Sequence, residues 1–400
     1  MTDWSTPRTL PPGLALRRRE ISLRERALDR ESPLRRLDWT LALAVSALIG
    51  MGALLVWSAT KPQLTAAGLD AQTYFKKHLI NAAIGVALAS VAALVDYRAL
   101  RTYAPLVYLA SCVGLVAVLS PLGSTINGAH SWILLPAGFQ VQPSEFAKVA
   151  IVVGMAMLLA ETRDGEDTPR DIDVLLVLAL CALPMGLIML QPDLGTAMVL
   201  VFVILGVLAV SGAPLRWIAG LVIAGGLMGG VVAPHVLSEY QKDRFAAFTN
   251  PEFDPRGVSY NTRQARFAVG SGGLTGQGLF QGAQTQGQFI PEQQTDFVFT
   301  VAGEELGLLG GGGIIALLGL VLWRGLRIAA RATDAFGRLV AAGVVSWFAF
   351  QSFVNIGMTL GIMPVTGLPL PFLSYGGSAM FANLLAVGLL QNVHLRNAEL

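Results

Sequence analysis

The sequence IPEQQTDFVFTVAGEELGLLG, residues 290–310, places three acids at the start of an apolar stretch. Asp296 precedes the apolar residues and follows a long polar segment, a position that suits a general base taking a proton from a hydroxyl group. The residue types alone leave two interpretations open, this base or the N-cap of the next helix. Glu304 and Glu305 lie about 12–14 Å further along a helix. We expect each to cap broken backbone or to pair with a distant cation.

A second charged group lies in QPSEFAK, residues 142–148. Glu145 and Lys148 are three residues apart and share one helix face. Either they form a local ion pair, or Lys148 is a cation at the mouth of a cavity, ready to bind phosphate. In QPDLGTA, residues 191–197, Asp193 is predicted to be the N-cap of the following helix.

Two loops are rich in glycine or proline. GSGGLTGQG at 270–278 lacks the GK[ST] ending of a nucleotide-binding loop, so it predicts tight turns or a close approach of backbone to a ligand. Residues 361–378, GIMPVTGLPLPFLSYGGS, predict a rigid, partly re-entrant turn that lines a cavity.

The two cysteines, Cys112 and Cys181, lie in apolar segments and are expected to be buried thiols.

The elements that position these residues are membrane helices. The chain is 54% hydrophobic and 14% charged, whereas a soluble protein has about 25% charged residues. The net charge of +2 does not support binding to nucleic acid. Apolar stretches without strand-like alternation predict an all-α integral membrane protein with ten transmembrane helices. The predicted spans are 39–59, 79–96, 103–120, 143–161, 172–190, 194–212, 215–234, 297–323, 339–360 and 377–394.

The basic residues predict the orientation. Residues 1–37 hold nine arginines, and the loops on the same side hold nine more, against three lysines in the short loops of the other side. The positive-inside rule therefore places both termini in the cytoplasm. Residues 1–37 are expected to be a disordered tail rather than a cleavable signal, and 395–400 a short cytoplasmic end. The connection at 235–296, between the seventh and eighth spans, is predicted to be a functional extracellular loop.

These motifs together resemble the SEDS family (shape, elongation, division, sporulation) of polytopic peptidoglycan polymerases, which includes RodA and FtsW. The resemblance covers residues 38–394. It rests on NGAHSWI (127–133), QPSEFAK, QPDLGTA, the 290–310 sequence and LPLPFLSYGGS (368–378), all in the same order. Several motifs in order over ten predicted spans make the resemblance specific.

The resemblance implies a glycosyltransferase that polymerises lipid II. A glycan strand linked through pyrophosphate to a polyprenol is the donor, and the 4-hydroxyl of the N-acetylglucosamine of lipid II is the acceptor. Asp296 then matches the essential aspartate of the family, and Trp132 its important tryptophan. The leaving pyrophosphate needs positive charge, and a divalent cation such as Mg²⁺ or Mn²⁺ remains an open alternative. The residues expected to contact substrate are Trp132, Lys148, Arg244, Glu145, Gln142, Ser144, Tyr260, Gln264, Ser374 and Tyr375.

Within the family, FIPEQ before TDF and NIGMTLGIMPVTGLPLP resemble the RodA, elongation-type branch. Gln294 and Ser131 depart from the common pattern, which has His before TDF and Arg before the tryptophan.

The resemblance also implies a class B penicillin-binding protein as partner, and location in the bacterial cytoplasmic membrane. Two other classes stay open: a flippase or transporter of lipid-linked sugar, and a scaffold for other cell-wall proteins.

Overall fold

The computed structural model describes residues 33–95, 97–126, 129–134, 140–161, 168–232, 235, 239–250 and 258–397. The chain divides into two units, Met1–Leu37 and Asp38–Leu400. Of the first unit only residues 33–37 are described, and they include the short helix α1, Pro33–Arg36. The predicted disorder of the tail therefore concerns residues that lie almost entirely outside the described part.

The second unit is mostly helical. Its described helices are α2 Trp39–Ala66, α3 Thr73–Leu94, α4 Tyr97–Leu119, α5 Pro143–Leu159, α6 Asp171–Met189, α7 Leu194–Ser211, α8 Leu215–Leu227, α9 Glu239–Thr249, α10 Val258–Ser271, α11 Ala283–Gln286, α12 Val298–Glu305, α13 Gly307–Arg331, α14 Ala335–Leu360 and α15 Gly377–Asn397.

Eight described helices are long and apolar enough to cross a membrane: α2, α3, α4, α6, α7, α13, α14 and α15. The fourth predicted span is α5, which has 17 residues. The seventh is α8, with 13 residues continuing into a π-helical turn at Met228–Val232. Length and composition thus support eight spans, and the predicted count of ten is not confirmed.

Burial separates central from peripheral helices. In the most apolar window of each helix, 78% of α14 and 83% of α15 is buried, against 22% of the window in α4. α15 packs against α3, and α14 packs against α7 and α5. The centre of the unit is therefore built by the two helices that flank the 361–376 loop.

The segment between α4 and α5 contains a small sheet, which the all-α prediction missed. Strands β1 (Gly123–Ile126), β2 (Ala129–Leu134) and β3 (Gln140–Val141) pair antiparallel in the order β1-β2-β3. Trp132 on β2 lies opposite Ser124 on β1. The hydroxyl of Ser378 donates to the carbonyl of Gln140 and accepts from the Gln142 amide, so the sheet is joined to the start of α15.

The predicted eighth span, 297–323, is two helices rather than one. α12 ends at Glu305 and α13 begins at Gly307, which has a left-handed φ of 65°. The glycine-rich loop supplies hydrogen bonds at the break in place of helical ones. The amides of Gln277 and Gly278 donate to the carbonyls of Glu304 and Glu305. The interpretation of this loop as a set of tight turns is confirmed, and its backbone approaches the broken helix of the same chain.

The Glu304 and Glu305 side chains stabilise the same junction. The Glu304 carboxylate accepts hydrogen bonds from the amides of Gln284 and Thr285, at 2.6 and 3.0 Å, and so caps the N-terminus of α11. The Glu305 carboxylate accepts from the Ser58 hydroxyl at 2.6 Å. The prediction that these acids cap backbone is confirmed for Glu304, whereas Glu305 bonds to a side chain of α2.

Gly276→Ala should destabilise this junction. Gly276 has φ of 83°, and a Cβ on it would overlap the carbonyl oxygen of Glu305. An alanine in left-handed backbone costs about 1–2 kcal/mol before the overlap is counted. We expect a lower melting temperature and less folded protein. Gly270→Ala is the control, since Gly270 is in α10 with no atom near its Cβ position; equal stability of the two variants would contradict the interpretation.

Candidate functional site

Asp296 lies just before α12 and is held by its backbone. Its amide donates to the Glu292 carbonyl at 3.1 Å. Its carbonyl accepts from the side-chain amide of Asn355, on α14, at 2.8 Å. The N-cap position of α12 is occupied by Phe297, which makes no side-chain cap bond. The N-cap interpretation of Asp296 is therefore wrong, and its carboxylate is available for another role.

The Asp296 carboxylate is half-buried beside the 361–376 loop. No described group donates a hydrogen bond to it, and a Cβ added to Gly367 would lie 3.6 Å from its Oδ2 atom. The pKa of Asp296 is raised to about 6, mainly because the surrounding protein removes water from the carboxylate and also because Glu292 is nearby, while the charge of Arg244 acts in the opposite direction. A carboxylate with a pKa near neutrality is well matched to general base catalysis.

Two polar residues of α14 position this region, and sequence reasoning missed both. The Asn355 amide also donates to the Leu368 carbonyl, at 2.7 Å, and the Gln351 amide donates to the Pro369 carbonyl, at 2.7 Å. Both side chains are buried. The available signal was two amides four residues apart in an apolar span, because polar residues inside a membrane helix have a cost that a partner must offset.

Glu145 and Lys148 form the local ion pair that was one of their two interpretations. The Lys148 Nζ atom lies 2.8 Å from Glu145 Oε1 and 3.1 Å from Gln351 Oε1. It also lies 4.6 Å from the centre of the Trp347 ring. The Lys148 side chain has no exposed surface. The expectation of a cation open to phosphate is therefore corrected, because the ammonium is enclosed by these three partners.

Gln142 and Ser144, expected to contact substrate, instead bond to Asp193. The Asp193 carboxylate accepts from Gln142 Nε2 at 3.1 Å and from Ser144 Oγ at 3.2 Å. It also accepts from the Thr196 amide at 3.0 Å. The predicted N-cap role of Asp193 is confirmed. The two neighbours complete the cap, since each supplies a donor to the same carboxylate.

The 361–376 loop carries the next two candidates. Ser374 Oγ accepts from the Leu370 amide at 2.8 Å. The Tyr375 amide donates to the Gln294 carbonyl, two residues before Asp296, at 2.9 Å. The Tyr375 ring packs edge-on against Tyr74, with ring centres 4.8 Å apart. Both residues therefore stabilise the loop and the segment leading to Asp296.

The remaining candidates lie apart from these contacts. Trp132 is half-buried on β2, and within the described ranges its side chain has no hydrogen bond or ring contact. Tyr260 and Gln264 are half-buried on α10, one helical turn apart. The structure gives no contact between these three side chains and the Asp296 carboxylate.

A basic pocket lies between α9, α10 and the end of α14. Its described lining includes Arg244, Arg263 and Arg266, together with Ser259, Thr262 and Val365. Arg244 donates to the Val365 carbonyl at 3.2 Å. The loop from Val365 to Gly367 therefore joins this pocket to the surroundings of Asp296. For the suggested divalent cation, the described part of the chain offers no cluster of three His, Cys, Asp or Glu side chains.

Comparison with known proteins identifies the family. A family model for FtsW, RodA and SpoVE, described as "Cell cycle protein", matches residues 38–399. Stage V sporulation protein E of Bacillus subtilis is 38% identical over 89% of this chain and 96% of its own length. Peptidoglycan glycosyltransferase MrdB of Escherichia coli K12 is 37% identical over 90% and 93%. A probable peptidoglycan glycosyltransferase FtsW of Trichlorobacter lovleyi is 38% identical over 89% and 92%.

Solved structures agree with this result. One similar chain comes from a structural study of how a peptidoglycan synthase complex coordinates polymerization and crosslinking. The two chains superpose with a TM-score of 0.75 and are 31% identical, and the match covers 90% of this chain and 98% of that chain. RodA of Thermus thermophilus has a TM-score of 0.65 and 31% identity, over 90% and 96%. These relatives and the apolar helices identify a multi-pass membrane protein. They include both FtsW and RodA types, so the branch is not resolved.

Proposed function

The chain belongs to the SEDS family of FtsW, RodA and SpoVE proteins, and we propose that it is a peptidoglycan glycosyltransferase that polymerises lipid II. The acceptor is the 4-hydroxyl of the N-acetylglucosamine of lipid II. Its oxygen forms a bond to the anomeric carbon of the donor glycan while the bond from that carbon to the pyrophosphate oxygen breaks. The electron pair leaves with polyprenyl pyrophosphate, and the new link is β-1,4 with inversion.

The observation that carries this proposal is the Asp296 carboxylate, which has a raised pKa and no hydrogen bond from a described group. In the proposed step the carboxylate accepts the proton of the acceptor hydroxyl and later releases it to water. The backbone bonds from Asn355 and to Glu292 hold Asp296 from two sides. A base fixed by its backbone keeps its orientation while its side chain exchanges a proton.

We place this reaction at the outer face of the cytoplasmic membrane, with both termini in the cytoplasm. The support is the excess of arginine in the tail and the loops on its side. A lipid-linked substrate then keeps its polyprenyl chain in the bilayer and presents its sugar to the 235–296 connection. Trp132 is proposed to offer a flat surface to a sugar ring.

Within the family we propose the elongation-type role, in cell shape, on the basis of FIPEQ and NIGMTLGIMPVTGLPLP. A class B penicillin-binding protein is the proposed partner, since its transpeptidase would cross-link the strands. The structural similarity to a complex that coordinates polymerization and crosslinking supports this partner. Complementation separates the branches: rescue of a division defect but not of rod shape would contradict the elongation role.

A flippase for lipid-linked sugar is the second candidate, because many membrane helices with buried ions are typical of transporters as well. Purified protein in proteoliposomes with labelled lipid II separates the two. A glycosyltransferase lengthens the glycan, which a gel of the product shows as a ladder. Transfer of labelled lipid between leaflets with no product longer than lipid II would contradict the polymerase.

The pH dependence of polymerisation should respond in opposite directions to two neighbours of Asp296. A base is active when ionised, so the wild-type rate should fall below about pH 6, the pKa of Asp296. Glu292 raises this pKa, so in Glu292→Gln the rate of polymerisation should begin to fall at a lower pH than in the wild type. Arg244 lowers this pKa, so in Arg244→Gln the rate should begin to fall at a higher pH. Initial rates between about pH 5 and 8 measure both shifts.

Stability measurements at each pH control for acid unfolding of the variants. Asp70→Asn is a matched carboxylate variant, because Asp70 is exposed and paired with Lys76. Its polymerisation rate should fall at the same pH as that of the wild type. If Glu292→Gln and Arg244→Gln both moved the fall in rate in the same direction, the assignment of that fall to Asp296 would be contradicted.

A further inference from the structure

The turn that leads into α12 is attached to the protein through one buried side chain. Within residues 291–296 only Gln293 is buried, whereas the first two residues are exposed and the last three are half-buried. The side-chain amide of Gln293 donates to the Thr285 hydroxyl at 3.1 Å and to the Thr300 hydroxyl at 3.2 Å. Thr285 belongs to α11 and Thr300 to α12. Gln293 therefore joins the turn to both helices.

The two hydroxyl groups require a donor at this position. Thr285 Oγ1 donates its proton to Glu304 Oε2 at 2.7 Å, and Thr300 Oγ1 donates to the Phe297 carbonyl at 2.6 Å. A hydroxyl group has one proton, so each oxygen can only accept from a further neighbour. An amide nitrogen with two protons satisfies both. A glutamate at 293 would bring acceptors instead, and an apolar side chain would leave both buried oxygens without that bond.

The turn itself is strained. Glu292 has a left-handed φ of 53°, which is unfavourable for a residue with a Cβ and persists only where the surroundings hold it. The amides of Thr295 and Asp296 both donate to the Glu292 carbonyl, at 3.2 and 3.1 Å. These bonds close the turn but attach it to no helix. The Gln293 side chain supplies an attachment one residue after the strained position.

The other attachments of this segment use backbone carbonyls. The Asp296 carbonyl accepts from the Asn355 side chain on α14, and the Gln294 carbonyl accepts from the Tyr375 amide. Gln293 adds α11 and α12 to the elements that hold the segment. Because no described group donates to the Asp296 carboxylate, the direction of that carboxylate depends on how the turn is held.

A structural role is the alternative explanation for the two Gln293 bonds. The glutamine could serve only to satisfy two buried hydroxyl groups beside the cap that Glu304 forms on α11. Loss of the amide would then reduce the amount of folded protein, and the protein that folds would polymerise at the normal rate. This alternative leaves unexplained why the donor comes from the strained turn that carries Asp296.

We propose that Gln293 is a positioning residue for Asp296, whose two side-chain bonds fix the direction in which the Asp296 carboxylate meets the acceptor hydroxyl. This inference rests on the proposed function, because it concerns the base of that reaction. Gln293 itself touches no substrate in this account. A base displaced by about 1 Å can lower a rate by about 100-fold, and substrate binding need not change.

Gln293→Met tests this role, because methionine keeps the length of the side chain and removes the amide. Elongation of labelled lipid II is measured per folded protein in nanodiscs. We expect kcat to fall about 10–100-fold, with KM near the wild-type value. The rate should also begin to fall at a lower pH, because a relaxed turn moves Glu292 away from Asp296 and admits water to the carboxylate. Gln281→Met is the matched control, since Gln281 is exposed and its side chain has no described hydrogen bond.

Thr300→Val tests whether the effect passes through the proposed bonds. Valine keeps the shape of the side chain and leaves the bond from Gln293 to Thr285, so this variant should fold and lower kcat by a smaller factor. The double variant with Gln293→Met should lose less activity than the product of the two single losses, because both substitutions remove the same bond.

Wild-type kcat and an unchanged pH dependence in folded Gln293→Met or Thr300→Val protein would overturn the proposal. A rise in KM that accounts for the whole loss would overturn it as well. Asp296→Asn separates this role from the proposed function. If that variant polymerises lipid II normally, the base assignment fails. If it is inactive while Gln293→Met keeps the wild-type kcat, only the positioning role fails.

Discussion

Purified Asp296→Asn protein should form no detectable polymer from labelled lipid II. An amide cannot accept the hydroxyl proton, and loss of a general base lowers a rate by about 10²–10⁴-fold. The substitution keeps the size of the side chain. It also removes no described hydrogen bond, so the loss should appear in the rate of elongation rather than in the amount of folded protein.

The same variant should be at least as stable as the wild type at neutral pH. The folded-state pKa of Asp296 is raised above its ordinary value, so the ionised carboxylate opposes folding increasingly as pH rises from about 4 to 6. Asparagine removes that unfavourable charge. A rise or no change in melting temperature, combined with loss of polymer, separates a catalytic carboxylate from a structural one. Asp70→Asn should keep normal polymerisation and serves as the matched control.

Lys148→Met should cause the second large effect, and we expect it in folding. Removing the ammonium leaves the Glu145 carboxylate buried without its partner, at 2% side-chain exposure. Breaking a buried ion pair in this way costs about 3–5 kcal/mol. The variant should therefore yield little folded protein and melt at a lower temperature. Lys77→Met, at an exposed position, should not change the melting temperature.

The double variant Glu145→Gln with Lys148→Met distinguishes the two roles of Lys148. If the lysine only neutralises Glu145, removing both charges should recover folding and much of the activity. Gln351 keeps its bond from Trp347 Nε1 in the double variant, at 2.6 Å. A double variant that folds normally but makes no polymer would show that the ammonium acts on substrate, against the enclosed ion pair described above.

The sequence predicted the membrane class and the order of the spans because long apolar runs have few alternative structures. It could not predict the break after Glu305, because the apolar composition continues across it. What makes the break possible is the insertion of the glycine-rich loop, whose amides replace helical hydrogen bonds. That contact joins residues about thirty positions apart, and no local pattern encodes it.

The candidate site also contains residues that the sequence predicted and residues whose roles only the structure shows. The position of Asp296 at the edge of a span predicted either a base or a helix cap, and the family resemblance favoured the base. Asp193 was predicted from the pattern of a helix cap, which the structure confirms. Lys148 was misjudged as accessible because two of its three partners, Trp347 and Gln351, come from α14, some two hundred residues away. Asn355 was missed because its role depends on two carbonyl groups of other segments, Asp296 and Leu368. Side-chain types give candidates, and tertiary contacts decide which of them are free.

The central claim is that Asp296 is the base of a polymerase, and one paired measurement on the same preparation tests it most directly. Wild-type and Asp296→Asn protein are reconstituted in the same lipid, and binding and elongation of labelled lipid II are measured together. We predict equal binding, a glycan ladder from the wild type, and only unextended lipid II from the variant. A ladder from folded Asp296→Asn protein at a rate near that of the wild type would contradict the claim.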